Sequence, residues 1–63
     1  EAVRLQVEAV ALDDRSARCW FNLGSAYQQA GLAGPAREAY GKAAALDPAE
    51  ARFREALAEV PAP

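Results

Sequence analysis

Apolar residues recur at helical spacing along most of the chain. Val3, Val7 and Val10 are separated by four and three positions, which places them in one stripe of a helix. The polar run at residues 13–16 interrupts this stripe. The pattern therefore predicts a first helix over residues 1–12.

A second apolar face contains the largest side chains. Trp20, Leu23 and Tyr27 are three and four positions apart, so they share one face of a second helix. We expect this helix to stop at Gly31, because glycine adopts the left-handed conformation at a helix C-terminus without steric cost. A third helix is predicted over residues 35–46.

Polar residues and prolines predict where the helices begin. Ser16 or Asp14 can accept the free N–H groups at the start of the second helix. Pro35 fits the first position of the third helix, where the missing N–H has no partner to lose. Before the fourth helix, Asp47 and Glu50 have the spacing of a capping box, with Asp47 as the N-cap.

The same residues carry a recognisable motif. The order is W-x-x-L-G-x-x-Y from Trp20 to Tyr27, and it is continued by Ala36, Tyr40, Ala43 and the segment Leu46-Asp47-Pro48. This order resembles the tetratricopeptide repeat, a helix-turn-helix unit of about 34 residues. The resemblance implies an all-α fold: a fragment of an antiparallel α-solenoid with about four helices. It also implies that the motif residues Trp20, Tyr27 and Tyr40 pack in the core.

The repeat predicts that residues 34 positions apart should match. Identical residues occur in the pairs Ala2/Ala36, Ala9/Ala43, Ala11/Ala45, Leu12/Leu46, Asp13/Asp47, Ala17/Ala51, Arg18/Arg52 and Leu23/Leu57. We expect one domain over residues 1–63, in which 1–16 provide the second helix of a preceding repeat and 17–50 a complete repeat. Residues 51–60 would form a terminal capping helix, because Pro61 cannot continue it, and 61–63 an extended tail. Because Glu1 starts in mid-pattern, the chain resembles a piece of a longer protein.

Composition and charge argue against several classes of function. The chain has 63 residues, of which 52% are hydrophobic and 25% charged, which is too apolar for a disordered segment. The net charge of −2 and the lack of a basic stripe argue against nucleic acid as a partner. No apolar run approaches the roughly 18 residues of a membrane-spanning helix. We therefore expect neither nucleic acid nor a membrane to be bound.

Catalytic chemistry has little support in the sequence. The chain has no histidine and no glycine-rich phosphate loop, so we expect no enzyme activity, metal or cofactor. Cys19 is the only cysteine, which excludes an internal disulfide and weakly favours a reducing, cytoplasmic setting. Its place beside Trp20 in a helix favours the role of a small, buried or half-buried apolar residue.

The resemblance also indicates a binding face. In this family the first helix of each repeat lines a concave groove, and the residues of that helix outside the motif make the contacts. Transferred to this sequence, the resemblance implies a protein–protein interaction module, a scaffold or adaptor, that binds a peptide or a partner helix. The implied contact residues are Arg18, Phe21, Asn22, Ser25, Gln28, Gln29 and Arg52.

Two alternatives remain open. Some family members clamp a C-terminal carboxylate, and Asn22 and Arg52 stand at two clamp positions, although Ala56 replaces a further basic residue. The other alternative is structural: repeat arrays bury a continuous core by stacking, so a fragment with open ends could associate with copies of itself as a homo-oligomer.

Overall fold

The part of the chain that the structure describes folds into four α-helices. The computed structural model describes residues 2–60, with side chains from residue 3, and contains no strand in that range. The helices are α1 (Ala2–Leu12), α2 (Ala17–Gln29), α3 (Ala33–Leu46) and α4 (Ala51–Glu59). This confirms the predicted all-α class with four helices. The tail predicted at 61–63 lies outside the described residues.

Each helix packs against the next one along the chain: α1 against α2, α2 against α3 and α3 against α4. The connections at 13–16, 30–32 and 47–50 are short. Short connections between contacting helices make neighbours antiparallel. No helix in residues 2–60 is both long and apolar enough to cross a lipid bilayer.

The turns before α2 and α4 have the same backbone conformation. Ser16 precedes α2 with φ −87° and ψ 109°, and Glu50 precedes α4 with φ −88° and ψ 105°. The Ser16 N–H donates to the Asp13 carbonyl at 3.3 Å, and the Glu50 N–H donates to the Asp47 carbonyl at 3.2 Å. The two turns are 34 positions apart, so the spacing found in the sequence is repeated in the backbone.

The cap of α4 differs from the prediction. Asp47 is the C-cap of α3, and Glu50 itself is the N-cap of α4. The capping box with Asp47 as N-cap is therefore wrong. Because residues 47–50 form a turn, α4 begins one turn later than the box requires. At α2 the predicted cap is confirmed, since the Ser16 hydroxyl accepts from the Cys19 N–H at 3.3 Å.

The connection between α2 and α3 contains the predicted glycine. Gly31 has φ +80°, its N–H donates to the Gln28 carbonyl at 3.0 Å, and the Leu32 N–H donates to the Tyr27 carbonyl at 2.9 Å. These two bonds form a Schellman motif that ends α2. Pro35 is the third residue of α3 rather than the first, because α3 already begins at Ala33. It is tolerated there since the whole first turn lacks N–H partners.

Two apolar clusters hold the helices together. Val10, Leu23 and Ala39 form the first cluster, which joins α1, α2 and α3. Ala36, Tyr40 and Val60 form the second, which joins α3 to the end of α4. The predicted core residues belong to these clusters: Leu23 and Tyr40 are buried, whereas Trp20, Tyr27 and Cys19 are half-buried.

The apolar stripe of α1 is only partly buried. Val10 is buried and Val3 is half-buried, but Val7 is 43% exposed. Only α2 packs extensively against α1, so one side of α1 faces solvent. The helix lies where the apolar spacing predicts it, but only part of the stripe is buried.

Candidate functional site

A hollow opens between the N-terminal ends of α2 and α4. Its volume is about 450 Å³. We call it the α2–α4 hollow, and its lining residues are Ala17, Arg18, Phe21, Asn22, Asp47, Glu50, Arg52 and Phe53. Helix α2 contributes four of them, α4 contributes two, and the turn between α3 and α4 contributes Asp47 and Glu50.

The apolar part of the hollow consists of two phenylalanines. The ring centroids of Phe21 and Phe53 are 5.2 Å apart, and those of Phe21 and Tyr40 are 5.5 Å apart. Such tilted aromatic pairs are favourable beyond their buried area. Phe53 is buried and Phe21 is half-buried. Phe21 therefore lines the hollow and also packs against the second cluster.

Tyr40 connects this aromatic row to α2. Its hydroxyl donates to Gln28 Oε1 at 3.0 Å. Burial raises the pKa of the Tyr40 phenol, the nearby Ser25 hydroxyl partly offsets the rise, and the Glu59 carboxylate adds to it. The phenol is therefore a hydrogen-bond donor at neutral pH.

One of the two arginines in the hollow has a carboxylate partner. Glu50 accepts from the backbone N–H of Arg52 at 3.1 Å and from the Arg52 guanidinium at 3.2 Å. The backbone bond from Arg52 and then its side chain lower the pKa of Glu50 below the usual 4.5. In contrast, the exposed Arg18 forms no side-chain hydrogen bond or ion pair within the described part of the chain. Arg18 is thus the cation that a ligand can engage without displacing a protein group.

The structure divides the predicted contact residues into two groups. Arg18, Phe21, Asn22 and Arg52 line the hollow. Ser25, Gln28 and Gln29 lie farther along α2 and do not line it. Gln28 accepts the Tyr40 hydroxyl bond, and Gln29 is exposed as the last residue of α2.

Sequence analysis missed four members of the hollow: Ala17, Asp47, Glu50 and Phe53. The match of Arg18 with Arg52 could have indicated these residues, because it implies that equivalent turns of α2 and α4 lie side by side. The open alternative of a carboxylate clamp would use Asn22 and Arg52, which do line one hollow. Arg52 would first have to leave Glu50, to which it is paired at 3.2 Å.

A smaller hollow of about 280 Å³ lies on another side of the molecule, lined by Asp14, Trp20, Lys42, Ala45 and Leu46. Trp20 Nε1 donates to the Asp14 carbonyl at 2.8 Å. Lys42 Nζ lies 5.4 Å from the centroid of the Trp20 ring, within cation–π distance. The Trp20 N–H already has a partner and Lys42 already contacts the Trp20 ring, so this smaller hollow is a weaker candidate for binding.

No protein-family model, no curated protein and no solved structure matches this chain. The resemblance to the tetratricopeptide repeat stays a prediction carried by the motif residues and their spacing. The geometry of the α2–α4 hollow is independent of that resemblance.

The Glu50 cap should make the start of α4 sensitive to acid. Because the pKa of Glu50 is lowered by folding, its stabilising contribution is present above the unfolded pKa and is lost as pH falls through the folded pKa. As the pH is lowered from about 5 to about 3, we expect the melting temperature of the Glu50→Gln variant to fall less than that of the original chain. Thermal unfolding followed by circular dichroism measures this. Glu38→Gln on the exposed face of α3 is the control, and an equal effect of both variants would contradict the role of the cap.

Proposed function

We propose that this chain is a protein-recognition module of the tetratricopeptide-repeat type, which binds a peptide segment of a partner in the α2–α4 hollow. The observation that carries the proposal is the meeting of Arg18, Asn22, Phe21 and Phe53 around one concavity. Binding sites in proteins are mostly concave and apolar, with a few polar groups that orient the ligand. The repeated turns 34 positions apart support the repeat type.

The lining groups favour a particular peptide chemistry. The rings of Phe21 and Phe53 offer contact to one apolar side chain. Asn22 can pair with a peptide backbone, because its amide both donates and accepts. Arg18 can bind a carboxylate through two parallel hydrogen bonds. A volume of about 450 Å³ suits a short segment in which an apolar residue stands beside an acidic one.

Replacement of Arg18 tests the proposal. Hydrogen bonds to charged groups contribute about 1.5–3 kcal/mol, so Arg18→Ala should weaken binding by about tenfold to a hundredfold. The probe is a set of synthetic peptides with an apolar–acidic pair at different positions. Their binding is measured by amide chemical-shift changes at residues of the hollow.

Arg15→Ala is the matched control, since Arg15 is an exposed arginine outside the hollow. It removes the same charge and should leave peptide affinity unchanged. Peptides that shift no amide of the hollow, or that bind the Arg18→Ala variant as well as the original chain, would contradict the proposal.

A further inference from the structure

The two ends of the helix stack have different surfaces. Helix α1 exposes three large apolar side chains: Leu5 at 62%, Val7 at 43% and Leu12 at 89%. Within the described side chains, α4 exposes no large apolar residue. Its exposed residues are Arg52, Arg54, Glu55, Ala58 and Glu59. The α1 end of the stack thus exposes large apolar side chains, whereas the α4 end is mainly charged.

The repeat spacing explains why the face of α1 is open. Leu5 corresponds to Ala39, 34 positions later, which is only 2% exposed. Ala39 packs with Leu23 of α2. Within residues 2–60, no helix covers α1 in the way that α2 covers α3, so Leu5 remains in solvent.

Charged residues occupy the middle of this open face. At about 100° per residue, Arg4 and Glu8 lie between Leu5 and Leu12 on one side and Val7 on the other. All five are exposed. Arg4 and Glu8 are one helical turn apart, yet they form no ion pair, since the one ion pair among the described residues joins Arg52 and Glu50.

We propose that this face of α1 binds a second copy of the chain, with the two α1 helices packed antiparallel about a two-fold axis. In that arrangement Arg4 of one copy faces Glu8 of the other, and the reciprocal pair forms by symmetry. Leu5 then contacts its own counterpart on one flank, and Val7 does so on the other. Leu12 lies at the edge of the pair, beside the start of the partner helix.

The charges of Arg4 and Glu8 favour an antiparallel second copy over other partners. A parallel pair would set Arg4 against Arg4 and Glu8 against Glu8, and like charges repel. A partner surface of a single charge would repel one of the two residues. In the antiparallel pair of identical helices, Arg4 and Glu8 each face a residue of opposite charge. Because the same surface is used by both copies, the association closes at a dimer.

The dimer is expected to be weak. One face of a three-turn helix falls well below the roughly 1,600 Å² of a standard stable interface. Sedimentation of the full chain should therefore show monomer at low concentration, dimer at high concentration and no larger species. A monomer at every concentration, or growth beyond a dimer, would overturn the proposal.

Substitutions at the apolar flank test the surface. Leu5→Glu should abolish dimerisation. Leu46→Glu is the matched control: it changes an exposed leucine, 43% accessible, on α3 instead of α1, and it should dimerise as the original chain does. Far-ultraviolet circular dichroism confirms that both variants keep their helices. Loss of the dimer in both variants, or in neither, would overturn the proposal.

Charge reversal tests the pairing itself. Arg4→Glu alone and Glu8→Arg alone each set like charges against each other in the antiparallel dimer, so each should raise the dissociation constant about tenfold or more. An equimolar mixture of the two variants should recover dimerisation, because one helix then carries two acids and the other two bases. Single variants that dimerise as the original chain does would overturn the antiparallel arrangement.

This inference is independent of the proposed peptide binding. Helix α1 does not line the α2–α4 hollow, so Leu5→Glu should leave peptide affinity unchanged, and Arg18→Ala should leave dimerisation unchanged. The failure of either proposal is therefore visible without reference to the other.

Discussion

Replacing Tyr40 with alanine should leave most of the chain unfolded at room temperature. Tyr40 is 3% exposed and packs with Ala36 and Val60, and its ring lies 5.5 Å from that of Phe21. Loss of a buried aromatic side chain costs about 3–5 kcal/mol. A core in a domain of this size rarely supplies more than about 3–5 kcal/mol in total. The loss is thus comparable to the whole stability, and far-ultraviolet circular dichroism with urea titration measures it.

Tyr40→Phe is the control that separates the ring from the hydroxyl. It keeps the aromatic packing and removes only the bond from the hydroxyl to Gln28 Oε1, 3.0 Å long. Gln28 is exposed, so water can replace the lost donor and the cost should be about 1 kcal/mol. If Tyr40→Phe unfolds the chain as Tyr40→Ala does, the hydrogen bond rather than the ring packing holds these helices together.

Helix positions could be predicted from the sequence because their signals are local. The end of α1 at Leu12 and of α3 at Leu46, and the glycine after α2, follow from spacing and from the backbone freedom of glycine. The cap of α4 could not be predicted in the same way. Asp47 and Glu50 have capping-box spacing, but whether residues 47–50 form a turn or the first turn of a helix depends on how α4 packs against α3.

The candidate site could be predicted only in part, because its remaining residues depend on how the helices pack. The sequence places Arg18 and Asn22 on one helix, and the repeat spacing brings Arg52 beside them. It does not show that the hollow opens only at the N-terminal ends of α2 and α4, which leaves Ser25 and Gln28 outside it. The pair of Glu50 with Arg52 depends on a turn residue, so spacing along a helix does not reveal it.

The open face of α1 also lay beyond the sequence pattern. Apolar periodicity identifies a helix and a side suited to burial, but burial requires a neighbouring helix to cover that side. Val10 has such a neighbour in α2, and Leu5 has none within the described residues. The two residues differ in their tertiary contacts, which the spacing of apolar residues along one helix does not reveal.

Gly24→Ala should show how closely α2 and α3 approach each other. A Cβ atom at Gly24 would lie 2.6 Å from Tyr40 Cδ1 and 2.7 Å from Cε1, closer than carbon atoms can pack. Tyr40 has little room to move, because it is 3% exposed and its ring centroid lies 5.5 Å from that of Phe21. Overpacking of a core typically costs about 1–3 kcal/mol. Alanine in place of a helical glycine stabilises the helix by up to about 1 kcal/mol. The clash and the helix propensity therefore change the stability in opposite directions.

Gly41→Ala separates these two effects. Gly41 also lies inside a helix, but a Cβ there would meet nothing within 4 Å, so this variant should be more stable than the original chain by about 0.5–1 kcal/mol. The gain in helix propensity is common to both variants, and the difference between them isolates the clash at Tyr40. We expect the unfolding free energy of Gly24→Ala, from urea denaturation, to lie about 1–3 kcal/mol below that of Gly41→Ala. Equal stability of the two variants would show that the ring of Tyr40 yields, and that the glycine of the motif is not required for close helix packing.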